Sequence, residues 1–405
     1  MPTHDARAGG VPDSVPRSRG VSTRASRGGL RVLHLSDRWS LRGGADWHLR
    51  CVLRALAEAG VDLHLAVGRV EERAPPPCSL HRVARLDDMD PGPQLLPRLD
   101  ALLSEVSPDV VHVHNALSPA VLRLCAGVGA VMTVQDHRTF CPGRGKLTLD
   151  GVACRQTLAR ERCAGCFEDA GYADRIWSLT HARLESVKRM RRLVVLSRYM
   201  RNELVSAGVE RARVSVIPPF VEGLGPPPDS PGAAPCVLVA GRLVDAKGVD
   251  EAIHVWRASG VDLPLVFAGT GSARARLERQ GFEVLGWTPH DRMGPIYARA
   301  RALLLLPRWQ EPFGIAGLEA AHQGVPVVAW GSGGIAEWWP PARALAFGDL
   351  DAAAVALRRA LRREDAVPTP REITRADATH RLLDLYARLG PVHARARGPR
   401  SESLC

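Results

Sequence analysis

Arg242, Lys247, Glu311 and Glu319, in the second half of the chain, have the types and spacing to grip one ligand that carries both negative charge and hydroxyl groups. Arg242 and Lys247 stand in GRLVDAKG and would supply cationic donors near one another; Glu311 and Glu319 bracket the turn in EPFGIAGLE. Between the two pairs lies AGTGS, Ala268 to Ser272, whose Gly269 and Gly271 allow backbone N–H groups to approach a ligand closely. A helix opening near Gly314 would turn its free N–H groups and the positive end of its dipole into the same space. Cations, a glycine turn and a helix N-terminus together suit a diphosphate, and carboxylates accept hydrogen bonds from sugar hydroxyls. Taken singly, each feature has a plainer reading as a solvated turn, a tight turn, or a carboxylate favourably placed on a helix dipole.

The elements that must position these residues can be read from the apolar pattern. ARALLLLPRWQEPFGIAGLEAAHQGVPVVAW reads as a buried strand from Ala302 to Leu306, a loop holding Glu311, a helix holding Glu319 and a second buried strand from Val325 to Ala329. CVLVAGRL, LPLVFAGTG and FEVLGW precede it as further strand segments. In parallel sheets ligands sit beyond the carboxyl ends of the strands, and all four charged residues fall at or just after such ends. The first half alternates in the same way, with strands at Val32 to Leu35, Leu63 to Val67, Val110 to Val113, Val131 to Val134 and Val194 to Leu196. A helix from about Asp46 to Ala59 carries Leu49, Val52, Leu53 and Leu56 on one face. VEGLGPPPDSPGAAP, residues 221–235, is rich in Pro and Gly and reads as a linker. The expected fold is α/β, two doubly wound Rossmann-like domains facing a cleft, with domains at 30–220 and 236–390 and basic, disordered tails at 1–29 and 391–405.

Composition sets the bounds. At 405 residues the chain is longer than one core usually grows, and its net charge of +11 points to anionic partners. Aromatic residues are 5% of the chain, which disfavours stacking along single-stranded nucleic acid, and carboxylates in the groove would repel any nucleic acid. No apolar run is long enough to span a bilayer and the first residues lack an apolar signal segment, so a cytoplasmic location is expected. The basic stretch Lys188 to Arg192 could give weak peripheral contact with the inner face of a membrane, with a solvated surface as the alternative.

Around these residues the chain resembles the retaining glycosyltransferases of family 4, the "group 1" family with the two-domain GT-B architecture. The resemblance covers most of residues 30–390 and is strongest from Val237 to Trp339. The family carries a Glu, seven residues and a second Glu, matched by Glu311 and Glu319 with Pro312-Phe313-Gly314 between them, and a pattern matched by Gly241-Arg242-Leu243 followed by Lys247-Gly248. The resemblance implies that Arg242 and Lys247 hold a donor diphosphate, Glu311 contacts the transferred sugar, and Glu319 binds the ribose hydroxyls. The backbone of Gly314 and Ile315 would lie against sugar and phosphate. Gly43 and Gly44 fall where the family has a paired glycine, in a loop that approaches donor phosphate or acceptor. The implied donor is a UDP- or GDP-linked sugar and the implied acceptor a saccharide or a lipid-linked molecule, in cell-surface polysaccharide or glycoconjugate synthesis. No cofactor is required for such catalysis. A nucleotide-sugar epimerase or a phosphorylase on the same fold is the near alternative; a basic, zinc-containing nucleic-acid-binding or interaction protein is the distant one.

One departure from the family pattern and two further groups of residues complete the first half. After VMTV comes QDHRTFCPGRGK, so the family's active-site histidine falls at Gln135 and His137 is displaced by two residues. Asp136 and His137 are then the candidates for contact with the reacting sugar. In VHVHN, strand alternation puts His112 and His114 on one side, and His114 could line the cleft or serve the structure. Cys141, Cys154, Cys163 and Cys166 lie in one segment, 141–166, ending in Cys-Ala-Gly-Cys. In a reducing compartment they could bind one structural zinc; free thiols or a redox-sensitive disulfide pair are the alternatives.

Overall fold

The computed structural model describes residues 29–225, 234–364 and 373–389. Of the expected tails, all but residue 29 of 1–29 and the whole of 391–405 lie outside the described residues, as does 226–233 of the expected linker.

Two parallel sheets organise the chain. The first contains β1 (Arg31–Trp39), β2 (Asp62–Val70), β3 (Ser79–Arg82), β4 (Val110–Asn115), β5 (Val131–Val134), β6 (Arg192–Val195) and β7 (Val214–Val216). Their order is β3-β2-β1-β4-β5-β6-β7. The second contains β8 (Cys236–Ala240), β9 (Leu265–Ala268), β10 (Glu283–Gly286), β11 (Ala300–Leu305) and β12 (Val327–Ala329), ordered β10-β9-β8-β11-β12. Each order reverses direction beside its first strand, so each sheet has a switch point where neighbouring loops part and leave a crevice. The expected pair of doubly wound α/β domains is what the chain adopts.

Both faces of each sheet are covered, which is why the strands read as continuous apolar runs. In β1, Leu33 and Leu35 enter one core with the helices Leu95–Val106, Pro119–Gly127, Ala170–Val187 and Arg198–Ser206, while Val32 enters the opposite core with the helix Gly44–Glu58. A period of two sends neighbours to opposite faces, and each fully buried aliphatic side chain contributes roughly 1.5–3 kcal/mol.

The expected boundaries need two corrections. Residues 236–390 do not form one unit: the last helix, Arg375–Ala387, crosses back to the first domain. Its Ala378, Leu382, Leu385 and Tyr386 enter the core formed with Gly44–Glu58, and Arg375 pairs with Glu58. An amphipathic stripe shows that a helix has a face to bury but not which sheet will cover it. The segment 221–225 is also no free linker. Leu224 is buried in the second domain's core and its carbonyl accepts from the Gly294 N–H at 2.8 Å, whereas Phe220 belongs to the first domain's core beside Gly44–Glu58.

The stretch from Lys188 to Arg192 is a helix-to-strand corner. Lys188 pairs with Glu185, Met190 is fully buried in the first core, and Arg192 opens β6. Arg189 is exposed, and Lys188, Arg191 and Arg192 are partly buried.

Candidate active site at the domain seam

Arg242, Lys247 and Glu311 gather around Trp309 beyond the carboxyl ends of β8 and β11, while Glu319 lies on the helix that follows, among other partners. Lys247 places Nζ 3.1 and 2.8 Å from the two oxygens of Glu311, and Trp309 donates its indole N–H to the same carboxylate at 2.6 Å. Lys247 Nζ and the Arg242 guanidinium also lie over the Trp309 ring, 4.5 and 5.3 Å from its centroid. The indole thus gathers both cations on its face while its edge holds the carboxylate. Trp309 stands two residues before Glu311 and carries no signal of its own in the sequence.

Backbone geometry brings the glycine turn against the cationic loop. A Cβ on Gly269 would lie 1.8 Å from the Gly241 carbonyl oxygen, and one on Gly271 would lie 2.2 Å from that of Leu243. Gly241 and Leu243 in turn donate N–H to Ala268 and Thr270, at 2.9 and 2.8 Å. Only glycine permits this contact, so AGTGS is more than a surface turn. Gly314 takes the left-handed conformation, φ 87°, to open the helix Ile315–His322, whose start makes no side-chain cap. The first N–H groups of this helix therefore have no side-chain cap.

Glu319, on that helix, is buried. It accepts the Tyr297 hydroxyl at 2.8 Å and lies 3.5 Å from His290 Nε2. Burial pushes its carboxyl up to about 7, the Tyr297 hydrogen bond opposing the shift. Burial lowers His290 to about 4, so this imidazole is neutral and stacks on Trp47 of the first domain with ring centroids 3.8 Å apart. Tyr297, His290 and Trp47 come from three separate elements, which is why sequence spacing does not reveal them.

The first domain meets this site along a seam. Gly44 opens the helix Gly44–Glu58, and a Cβ there would come 3.6 Å from Ile315 Cδ1. The cysteine loop also crosses over: Gln310 donates its N–H to the Gly145 carbonyl at 3.3 Å, and a Cβ on Gly145 would meet Trp309 at 2.6 Å. Ser197 donates its hydroxyl to the Pro312 carbonyl at 2.7 Å, and Glu337 accepts the N–H groups of Arg198 and Tyr199 at 2.8 and 2.7 Å. A carboxylate of the second domain therefore caps a helix of the first.

His137 lies at this seam. Its Nε2 bonds the Tyr199 hydroxyl at 3.0 Å, its ring centroid is 6.1 Å from that of Trp309, and its Nδ1 is buried without a partner. Burial lowers its pKa to about 4, so it is a neutral imidazole. Asp136 caps the turn at His137 by accepting the Arg138 N–H at 2.9 Å and pairs with the Arg138 side chain at 2.7 Å. Gln135 bonds His48 at 3.3 Å.

His114 is buried and bonds His34 at 2.8 Å, and His112 is held by Tyr386 and Thr133 at 2.6 and 2.7 Å. The three histidines bring nitrogens within 4.8 Å of one another, the one such group of metal-capable side chains among the described residues. Both His112 nitrogens are already bonded, only His34 Nε2 and His114 Nδ1 lack partners, and burial holds all three rings well below their usual pKa. These are the properties of a neutral hydrogen-bonded stack.

The four loop cysteines are free thiols, and two of them meet at Gly143, where a Cβ would lie 3.8 Å from Cys166 Sγ and 3.9 Å from Cys141 Sγ. Cys141 Sγ accepts the Lys146 N–H at 3.4 Å. Their sulfurs are not drawn together as closely as the histidine nitrogens.

Comparison with known proteins gives the family. Residues 42–222 match the family model for Glycosyltransferase Family 4, and residues 226–376 match that for Glycosyl transferases group 1. A D-inositol 3-phosphate glycosyltransferase of Acidothermus cellulolyticus is 26% identical over 340 residues, covering 72% of this chain and 71% of that protein. An uncharacterized glycosyltransferase of Methanocaldococcus jannaschii is 32% identical over 111 residues, 25% of this chain and 28% of that one. A glycogen synthase of Mycobacterium tuberculosis is 29% identical over 248 residues, 57% of this chain and 54% of its own. The chain thus spans between about a quarter and 71% of the curated relatives it matches. Among solved structures, sucrose-phosphate synthase from Thermosynechococcus elongatus superposes with a TM-score of 0.63 at 18% identity, covering 91% of this chain and 96% of that one. Anabaena HepE in complex with UDP-glucose superposes with a TM-score of 0.61 at 14% identity, covering 90% and 97%. Two facing doubly wound domains with a cation-and-carboxylate seam define a GT-B glycosyltransferase. The chain belongs to glycosyltransferase family 4, its second half being the group 1 module.

Proposed function

We propose that the protein transfers a sugar from a UDP- or GDP-linked donor to a saccharide or lipid-linked acceptor with retention of configuration. The observation that carries this reading is the pairing of Lys247 with Glu311 beside an open helix N-terminus. A cation already holding one oxyanion is placed to hold a diphosphate, and its release frees Glu311 for the sugar hydroxyls. Arg242 and Lys247 grip the diphosphate, and Glu319, steadied by Tyr297, takes the ribose hydroxyls. Gly269, Gly271 and the start of the helix at Gly314 and Ile315 line the phosphate and sugar.

The bond from the anomeric carbon to the diphosphate oxygen breaks while the acceptor hydroxyl adds on the same face. The acceptor's proton passes to the leaving diphosphate, so no protein base is needed. Arg242, Lys247 and the helix dipole stabilise the charge that develops on the leaving group. His137, neutral and at the seam, offers its unpartnered Nδ1 to the reacting sugar, while Asp136 holds that turn in place. Gly43 and Gly44 let the first domain close on the donor. The location is cytoplasmic, and among the described residues no helix is long and apolar enough to cross a membrane. A structural zinc in the cysteine loop belongs to the same reading, as a brace for the seam and not as a participant in the chemistry.

A thermal-shift screen against nucleoside diphosphates and nucleotide sugars tests the assignment. A ligand at a hundred times its dissociation constant stabilises by about 2.7 kcal/mol. Stabilisation by one nucleoside diphosphate and its sugar, followed by release of that diphosphate in the presence of acceptor, is expected; indifference to all of them refutes the reading.

A further inference from the structure

We propose that a pocket in the first domain, at the carboxyl ends of β4 and β5, holds an oxyanion of the acceptor, a phosphate or a carboxylate. The inference rests on the glycosyltransferase reading and adds the chemical class of the acceptor to it.

Arg183 carries the argument. It stands on the helix Ala170–Val187, is 6% exposed, and lines the pocket together with Asn115, Leu117, Asp136 and Arg138. Its Nε donates to the Leu117 carbonyl at 2.8 Å, and among the described residues it has no carboxylate partner. A guanidinium has five N–H groups in a fixed fork, and among the described residues one of them has a partner. An unpaired buried cation is costly to keep, and buried charges are ordinarily paired. A solvated surface arginine would need no such account, but Arg183 is not at the surface.

The rest of the pocket makes the same demand. Arg138 pairs with Asp136 at 2.7 Å and donates to Asn115 at 2.7 Å, so the one carboxylate in the lining is already shared with another cation. In the lining itself two guanidiniums therefore face one carboxylate, with the buried Asp37 set behind Asn115 and acting on Arg138. The nine-residue helix Pro119–Gly127 begins at this wall, with Leu117 and Leu122 lining the pocket. Ser118 makes no side-chain cap and Pro119 has no N–H, so the helix start offers its next N–H groups and its dipole to an anion. A cationic fork opposite a helix N-terminus recognises an oxyanion better than a neutral hydroxyl.

The place is also right. Ala45, next to the Gly43–Gly44 pair, forms part of the rim, and Gly44 faces Ile315 across the seam. An acceptor anchored in this pocket would extend its hydroxyl toward the position assigned to the donor sugar.

The test is calorimetric titration of the full chain with glucose 6-phosphate, glucuronate and glucose, each with and without saturating nucleoside diphosphate. It is run on the wild type, Arg183→Lys, Arg183→Gln and Arg242→Ala. The expected result is at least tenfold tighter binding of a charged sugar than of glucose. The preferred charged sugar then distinguishes a phosphate from a carboxylate source. Arg183→Gln should lower the charged sugar's affinity roughly ten- to a hundredfold while leaving nucleoside diphosphate binding unchanged, and Arg183→Lys should restore part of it. Arg242→Ala, on the donor side, should leave the charged preference intact. A merely structural arginine would weaken charged and neutral sugars alike. Equal affinity for all three sugars overturns the proposal, as does loss of the preference in Arg242→Ala but not in Arg183→Gln. Failure of the wild type to bind any nucleoside diphosphate would instead count against the donor reading, so the two failures are distinct.

Discussion

Lys247 lies on both carboxylate oxygens of Glu311, at 3.1 and 2.8 Å, so the side chain expected to hold the donor diphosphate is held by the one expected to touch the sugar. The two roles then compete. Glu311→Gln weakens the grip on Lys247 and should leave nucleoside diphosphate affinity equal or higher, while turnover falls because the contact to the reacting sugar is lost. Lys247→Ala should weaken diphosphate binding roughly ten- to a hundredfold, the usual cost of a charged hydrogen bond of about 1.5–3 kcal/mol. Calorimetry beside steady-state kinetics separates the two. If Glu311→Gln weakens the diphosphate as much as Lys247→Ala does, the division of roles is wrong.

Glu319 gives a pH-dependent prediction. Its folded pKa is raised from 4.5 to about 7 by burial, so the folded state favours the protonated carboxyl more than the unfolded chain does. It costs no stability below about pH 4.5, and the cost of ionising it grows as pH rises to about 7 and is complete above that. Glu319→Gln removes the ionisation and keeps the shape. The ligand-free variant should therefore gain stability relative to the wild type as pH rises from 5 to 8, by something on the order of 1–3 kcal/mol. The same variant should bind nucleoside diphosphate and nucleotide sugar more weakly, since both carry the ribose. A melting-temperature difference independent of pH would remove the buried-carboxyl account.

Glu337 ties the two domains through the N–H groups of Arg198 and Tyr199. A capping carboxylate on a helix N-terminus contributes about 0.5–2 kcal/mol. Glu337→Ala should raise amide exchange at Arg198 and Tyr199 several-fold and leave the distant helix Leu350–Leu361 unchanged. It should also raise the Michaelis constant for the donor, because closing the seam then costs more. Unchanged exchange at those two amides would show that the cap does not hold the domains.

Much of the donor side is legible in the sequence because Arg242, the AGTGS turn and Glu311 each follow an apolar run whose end marks a sheet edge. Glu319 is legible for a related reason, one helix later, in a repeat of residue types that a strand–turn–helix unit needs. Trp309, Tyr297, His290 and Arg183 are not legible. Their roles arise where separate segments meet, and an isolated aromatic or arginine in the sequence reads equally well as core or surface. The helix Arg375–Ala387 is visible as a helix, but its destination depends on which apolar face remains open after the first sheet has assembled. His112 could be placed on the same side as His114 by alternation, yet its bond to Tyr386, 274 residues away, is invisible to any local pattern.

The cysteine loop supplies the last prediction. Cys141, Cys154, Cys163 and Cys166 are free cysteines of a loop that carries Gly145 onto Trp309. Burial raises the Cys141 thiol above its usual range, the N–H groups of Lys146 and Gly143 opposing the shift, so a metal bound there would have to displace a proton. Tetrahedral zinc holds sulfurs at about 2.3 Å from the metal, so binding would draw this loop tighter than it stands now. Protein purified without added zinc should contain close to one equivalent by elemental analysis. Cys163→Ser should lower that content, and chelation should lower the melting temperature and reduce turnover together, because Trp309 loses the surface that positions it. Nucleoside diphosphate binding should weaken less than turnover, since Lys247 and Arg242 stand on the other domain. Metal well below one equivalent and unchanged by Cys163→Ser would leave these residues as free thiols that pack a loop.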